Sequence, residues 1–151
     1  MKLAEALKLR ADLNTRMSRL RNRLVVNSKV QEGDSPSEDP EELLVELEEV
    51  SGQLEELIWR INTTNCSTVD ADGRTLTQLI ARRDALIQKE SILRDLLNSA
   101  SNRVDRYSRN EIAVHSTVDV REIRRQADAL SAEIRRTDNT IQELNWTTEL
   151  G

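Results

Sequence analysis

The segment DPEELLVELEEVSGQLEELIWRI, residues 39–61, decides the fold class of this chain. Asp39 suits the cap of a helix, Pro40 suits its first position, and Glu42 can complete a capping box. Apolar residues then recur at alternating intervals of four and three, at Leu43, Leu47, Val50, Leu54, Leu57 and Ile61. This heptad spacing predicts a long helix whose narrow apolar seam packs against a neighbouring helix.

Similar patterns predict three further helices. An apolar stripe begins at Leu3, and capping-box patterns at Thr75 with Gln78 and at Asp119 with Glu122 open two more helices. We expect an all-α chain that forms a single domain, residues 1–151. Its architecture is predicted to be an elongated bundle of four long helices, arranged as two antiparallel coiled-coil-like hairpins. The expected helices cover residues 2–27, 40–64, 75–104 and 119–146, with a polar loop over residues 28–39.

Composition and charge agree with this architecture. Charged residues make up 32% of the 151 residues, Phe is absent, and the chain has four Gly and two Pro, as expected of long helices with few turns. Residues 1–31 carry eight Lys or Arg against two Asp or Glu, whereas residues 32–60 carry one Arg against eleven acidic residues. These opposite charges favour the first and second helices as antiparallel neighbours.

The sequence also indicates the cellular compartment of the protein. No stretch approaches the roughly 18 consecutive apolar residues that mark a membrane-spanning helix. The first residues, MKLAEALKLRADL, lack the apolar core of a secretory signal, and the lone Cys66 fits a reducing compartment. We therefore expect a cytoplasmic protein with no membrane association.

One segment departs from the helical pattern. Within residues 111–118, Ile112, Val114 and Val118 alternate with other residues, and a period of two indicates a short strand. A strand needs a partner for its backbone groups. Two partners remain open: the segment 27–31, in a two-stranded β element, or a strand of another subunit.

The segment NTTNCSTVDADGRT, residues 62–75, has the composition of a calcium loop or of a turn. With Gly73 at the sixth position of a calcium loop, Leu79 would occupy the twelfth, where a bidentate Glu is required. The pattern therefore favours a turn around this glycine. Cys66 and His115, each the only residue of its kind, lack the spacing of metal ligands or of a catalytic triad. The sequence thus predicts no catalytic residues, no metal site and no cofactor.

Two charged residues fall where the seam of the third helix calls for apolar side chains. Arg83 and Glu90 lie seven residues apart, and either charge would be costly to bury without a partner. They can fix the register between helices or line a polar pocket, and both interpretations stay open. The candidate ligand-binding residues are Asn62, Asn65, Arg74, Arg83, Asp84 and Glu90.

Surplus apolar residues beside the seams predict an interface. Leu44, Ile58 and Trp59 widen the apolar face of the second helix, Leu96 widens that of the third, and Trp146 lies near the C-terminus. A thin bundle leaves such wide apolar faces exposed to water, and a second subunit that packs against them would bury this surface. A homo-oligomer, either a dimer or a larger assembly, is therefore expected.

The basic first helix raises nucleic-acid binding as an alternative. It contains Arg16, Arg19, Arg21 and Arg23, but the chain has a net charge of −5 and no stacking aromatic residues accompany these arginines. Pairing with the acidic second helix is the favoured explanation of the basic charges.

Seven segments that span nearly the whole chain carry a family resemblance: MKLAEALKLRADL, VQEGDSPSEDPEEL, RINTTN, DGRTLTQLIARRD, RYSRNEI, STVDV and LNWTTEL. The chain resembles an uncharacterised family of small bacterial α-helical proteins, some members of which are called septicolysin. The resemblance implies a helical protein of bacterial origin and supplies no catalytic residues. The name implies pore formation, which the sequence does not support. Candidates for a site shared with the family are Asn62, Asn65, Arg74, Arg83, Asp84, Asn145 and Trp146.

Three hypotheses follow. The leading one is a non-enzymatic, homo-oligomeric interaction or scaffold protein, with a further protein partner of unknown identity. The second is a small-molecule-binding protein or enzyme with a polar site around Arg83, Glu90 and the loop 62–74. The third is a nucleic-acid binder that uses the first helix.

Overall fold

A computed structural model describes residues 1–101 and 114–151 of the chain. These residues form four α-helices: α1 (Leu3–Val26), α2 (Pro40–Ser67), α3 (Leu76–Ser101) and α4 (Val120–Thr147). Pairing of the β type within the described ranges consists of isolated bridges, Lys2 with Glu149 and Val69 with Thr75. The prediction of an all-α fold with four long helices is confirmed.

The helix starts follow the capping signals of the sequence. The Asp39 carboxylate accepts a hydrogen bond from the Glu41 N–H at 2.9 Å, and Pro40 is the first residue of α2. The Asp119 carboxylate accepts from the N–H groups of Arg121 and Glu122 at 3.0 and 3.1 Å. These bonds satisfy amides that have no partner inside the helix.

The ends of the second and third helices are the boundaries that depart most from the predicted ranges or cannot be compared with them. α2 continues to Ser67 rather than ending at residue 64. The predicted end of the third helix, including Val104, lies outside the described residues.

The short strand predicted over residues 111–118 is not found in its described part. Residues 114–118 have no regular structure, and residues 111–113 lie outside the described ranges. The suggested partner segment, 27–31, begins with a turn at the end of α1, where the Asn27 N–H donates to the Arg23 carbonyl at 3.0 Å. Residues 27–31 take part in none of the β-bridges found in the described ranges.

The chain divides into two compact units. Unit 1 contains Met1–Leu76 and Gln142–Gly151, and unit 2 contains Thr77–Ile141. In unit 1, α1 and α2 run antiparallel, and the apolar seams predicted for them supply most of the buried side chains. The buried apolar residues of these helices are Leu3, Ala6, Leu13, Leu20, Leu43, Val50, Leu57 and Ile61.

Ion pairs join α1 to α2 and to the residues just before it, as the charge pattern predicted. Arg16 lies 2.6 Å from Glu46, and Arg23 pairs with both Glu38 and Glu46, at 2.5 and 3.2 Å. The hydrogen bond from Arg23 holds the pKa of Glu38 below its ordinary value. The buried Asn27 side chain also fixes the loop, because its Oδ1 accepts from the Glu38 N–H at 3.0 Å.

The last residues of the chain also belong to unit 1. Leu3 N–H donates to the Thr148 carbonyl at 3.0 Å, and Leu150 N–H donates to the Met1 carbonyl at 2.9 Å. Gly151 N–H donates to the Thr64 hydroxyl at 3.0 Å. Leu150 is buried, so the segment after α4 packs against the start of α1 and the end of α2.

In unit 2, α3 and α4 run antiparallel. Their buried apolar residues are Leu79, Leu97, Ala127 and Ile141, whereas the predicted seam residues Leu86, Leu93, Leu130 and Ile134 are half-buried. Polar contacts therefore make up a large part of the junction between these helices. Among the described residues, no helix combines the length and the hydropathy needed to cross a bilayer.

Candidate functional site

Residues 68–76 form a tight turn between α2 and α3. Asp70 N–H donates to the Arg74 carbonyl at 2.9 Å, and Gly73 N–H donates to the Asp70 carbonyl at 3.1 Å. Gly73 has a φ of +78°, in the left-handed region that side chains with a Cβ rarely adopt. The turn predicted around this glycine is confirmed.

The Asp70 carboxylate is the centre of this turn. It accepts hydrogen bonds from the N–H groups of Asp72 and Arg74, at 3.0 and 2.8 Å, and from Arg74 Nε at 2.9 Å. Its side chain is only 5% exposed. Burial alone would raise the pKa of Asp70, but the bonds from Arg74 and Asp72 outweigh burial and lower it. Both oxygens thus face protein donors, as expected of a structural turn and not of a calcium loop.

Arg83 joins α3 to α4. Its Nη1 donates to the Asp138 carboxylate at 3.2 Å, and its Nε and Nη2 donate to the Asp84 carboxylate at 3.0 and 2.9 Å. The Arg83 side chain is 26% exposed. Burial opposes the charge of Arg83, but the bonds to the two aspartates outweigh it and raise the pKa of the guanidinium.

Glu90 belongs to a second polar cluster between the same helices. Its Oε1 accepts from Arg94 Nε at 2.6 Å and from the Ser131 hydroxyl at 3.0 Å. Arg94 Nη2 also donates a hydrogen bond to the Asp128 carboxylate on α4 at 3.1 Å. The bond from Arg94 is the largest cause that lowers the pKa of Glu90 below its ordinary value.

These clusters are suited to fixing the axial register of α3 and α4. Arg83 and Glu90 have different hydrogen-bond partners in the described part of the chain, and each contacts a different part of α4. A carboxylate whose pKa is lowered is a weak base at neutral pH, because it gains little from taking up a proton. The Arg82–Glu133 ion pair adds another connection between the two helices.

The six predicted ligand-binding residues fall into two groups. Asn62, which is exposed, and Asn65, which is half-buried, lie near the end of α2 in unit 1, as does Arg74 in the following turn. Arg83, Asp84 and Glu90 lie on α3 in unit 2. Within unit 2, the contacts place Arg83 beside Asp84 and leave Glu90 in a separate cluster.

The single cysteine and the single histidine belong to different units. Cys66 lies exposed on α2, and His115 lies exposed before α4. In the described ranges, no three residues among His, Cys, Asp and Glu are placed to hold a metal ion.

The predicted interface residues on α2 point outward. Leu44 is 54% exposed, Ile58 38% and Trp59 66%, and Trp146 on α4 is 63% exposed. Leu96 on α3 is half-buried. Tryptophan is enriched at protein interaction surfaces, and Ile58 adds an exposed aliphatic side chain next to Trp59.

Two buried polar residues, Asn27 and Thr64, were not among the predicted site residues. Asn27 is 6% exposed and Thr64 4%, whereas Asn145, a predicted candidate for a site shared with the family, is 7% exposed. For Asn27 a signal was present, because an asparagine directly after the last apolar residues of a helix is typical of a C-terminal cap. For Thr64 there was none, because its partner Gly151 is distant in sequence.

Comparison with known proteins gives a family and a structural relative. A family model described as a family of unknown function (DUF6847) matches residues 10–150. A similar solved structure is the crystal structure of a functionally unknown conserved protein from Corynebacterium diphtheriae. It is 46% identical, covers 100% of this chain and 99% of its own, and has a TM-score of 0.92. No match was found among curated proteins. Neither description mentions septicolysin or pore formation.

Proposed function

The chain belongs to the family of unknown function DUF6847, and we propose that it is a non-enzymatic helical protein that associates with itself and serves as an interaction scaffold. The proposal includes a single domain of residues 1–151 whose helices pack as coiled-coil-like hairpins. It also includes a cytoplasmic location, in which the exposed thiol of Cys66 stays reduced.

The exposure of Trp59 is the observation that carries this proposal. Trp59 is 66% exposed on α2, with Ile58 beside it and Leu44 four turns earlier on the same helix. Tryptophan is enriched at the centres of protein interfaces, where its large apolar surface is removed from water. Covering this exposed apolar side chain with another protein removes it from water and lowers the free energy of the system.

The alternative of a small-molecule site around Arg83, Glu90 and the loop 62–74 has less support. The Arg83 guanidinium is engaged by Asp84 and Asp138, and Glu90 is engaged by Arg94 and Ser131. A ligand would have to displace these partners, which reduces its net binding free energy.

Nucleic-acid binding through α1 also has less support. Arg16 and Arg23, two of its four clustered arginines, bind the carboxylates of Glu38 and Glu46. A phosphate backbone would compete with these carboxylates, and the acidic α2 beside α1 would repel it.

Light scattering after size-exclusion chromatography tests the proposal. At micromolar concentration we expect a mass of at least twice the 17.3 kDa of one chain. Because apolar contacts contribute to the association, it should persist when salt is added. A mass of 17.3 kDa at every concentration up to the solubility limit contradicts the proposal.

A further inference from the structure

The outer face of α2 carries an apolar stripe with a gap at its centre. Val45, Gly52 and Trp59 are spaced seven residues apart, so they lie on one face of the helix. Val45 is 61% exposed and Trp59 66%, and Leu44 and Ile58 lie at the edge of this face. We call these five residues the α2 stripe.

Gly52 has no packing role against the described residues of its own chain. A Cβ built at this position would meet no atom within 4 Å in the described structure. A glycine inside a helix lowers its stability by about 1 kcal/mol relative to alanine. Since no neighbour in unit 1 requires a small residue here, the glycine fits the close approach of a surface from outside the chain.

The charged residues that flank the α2 stripe are acidic. Four glutamates flank it, and none of them forms an ion pair with a described residue: Glu48, Glu49, Glu55 and Glu56. On α1 the balance is reversed, because Lys8, Arg19 and Arg21 are exposed and likewise form no ion pair with a described residue, against one exposed acidic residue in this stretch, Asp12. One hairpin thus displays an acidic outer face on α2 and a basic outer face on α1.

The outer face of α1 also complements the α2 stripe in shape. Ala11, Thr15, Ser18 and Asn22 recur at intervals of four, three and four, and all four are exposed. Small side chains along one face of a helix leave room for bulky residues of a neighbour. A face of this kind can accept Val45 and Trp59, while its flanking basic residues meet the flanking glutamates of α2.

We propose that the α2 stripe binds the outer face of α1 of a second copy of this chain, so that the two copies make the same contact twice. This proposal rests on the self-association proposed above and names its surface. A two-fold axis makes the contact reciprocal, because α1 of each copy lies on α2 of the other. Contact of α2 with α2 is disfavoured, because it would bring the glutamates of both copies together.

Charge reversal tests the α1–α2 contact between copies. One variant carries Arg19→Glu and Arg21→Glu, and the other carries Glu48→Lys and Glu55→Lys. In a homodimer of either variant, like charges meet in both α1–α2 contacts. We therefore expect the dissociation constant of each homodimer to rise at least about tenfold at low salt. An equimolar mixture of the two variants should form a heterodimer with nearly wild-type affinity, because both contacts then pair opposite charges. A single chain with all four changes should also regain self-association.

Gly52 provides a second test that is independent of charge. Gly52→Leu should keep or raise the thermal stability of the separate chain, because leucine favours the helix and the site is open. The same change should weaken association at least about tenfold, because the added side chain blocks close approach. Gln53→Leu, at an exposed neighbouring position on another side of α2, is the matched control and should associate as the wild type does.

The outcomes separate the proposed surface from the proposed self-association. If the wild type is oligomeric but the charge-reversal variants and Gly52→Leu associate equally well, the α2 stripe is not the interface, and self-association stands. If both charge-reversal variants are weakened but their mixture does not recover, the partner of α2 is not α1, and the proposed contact is wrong. A monomeric wild type overturns the proposed function together with this surface.

Discussion

Asp70 illustrates how one carboxylate organises a turn. Its side chain is almost fully buried, and the carboxylate stays charged because three N–H donors from Asp72 and Arg74 point at it. The neighbouring Asp72 has a 75% exposed side chain and pairs only with Arg74. The sequence shows two similar aspartates close to Gly73. Only the geometry of the turn shows that Asp70 accepts its hydrogen bonds and that Asp72 stays exposed.

At this scale we predict that Asp70→Asn lowers the melting temperature at neutral pH by a few degrees, because the uncharged amide binds the Arg74 guanidinium less well. Asp72→Asn, with the same chemistry at an exposed position, should leave the melting temperature almost unchanged. Thermal unfolding followed by circular dichroism provides the measurement. Equal effects of the two substitutions would contradict the central role of Asp70.

The difference between the wild type and Asp70→Asn should depend on pH. The pKa of Asp70 is lower in the folded chain than the value of about 3.9 in an unfolded one. Its stabilising effect is therefore complete above about pH 4 and is lost as the pH falls through the folded-state pKa. Melting curves of the two proteins should converge in strong acid, and a difference that stays constant down to low pH would argue against this assignment.

At the scale of the helix, the junction of α3 and α4 depends on polar contacts. Arg83 reaches Asp138, and Glu90 reaches Ser131, so both residues that interrupt the heptad face the neighbouring helix. That these two charges need partners follows from their spacing on α3. The identity of the partners on α4 depends on the axial position of one helix along the other, which heptad spacing leaves free.

Replacing both residues by apolar ones tests the register role. We predict that Arg83→Met with Glu90→Leu keeps the helical content and gives a melting temperature equal to or a few degrees above that of the wild type, because desolvation of the charges is removed. Gln88→Met with Asp95→Leu, at exposed positions of α3, is the matched control for added apolar surface. Thermal unfolding and light scattering provide the readouts. A large loss of helix content would show that the ion pairs are required for folding.

At the scale of the whole chain, unit 1 joins segments that are far apart in sequence. The segment after α4 lies between the start of α1 and the end of α2, where backbone bonds link Leu3 with Thr148 and Leu150 with Met1. Thr64 extends this connection to α2 by accepting from Gly151 N–H. Local helix patterns carry no information on such contacts, because each bond links residues from different segments of the chain.

We predict that Thr64→Val lowers the free energy of unfolding by about 1 kcal/mol, because the Gly151 N–H loses its acceptor on buried Thr64 while the side-chain volume is conserved. Hydrogen exchange at the Gly151 and Leu150 amides should quicken about fivefold. Thr63→Val is the matched control, since the Thr63 hydroxyl is exposed and bonds only within its helix. Equal exchange rates in the two variants would contradict the docking role of Thr64.

The sequence by itself determined the four helices, their starts at Asp39 and Asp119, and the pairing of basic α1 with acidic α2. These features depend on residues within one or two turns of each other, or on the sum of charges along a helix, so a linear pattern contains them. The tertiary structure decided which polar atoms meet, as Arg83 meets Asp138 and Thr64 meets Gly151. It also decided that residues 114–118 form no strand and that Gly52 faces open space on α2. Those outcomes depend on the relative placement of distant segments, which is fixed only when their side chains pack.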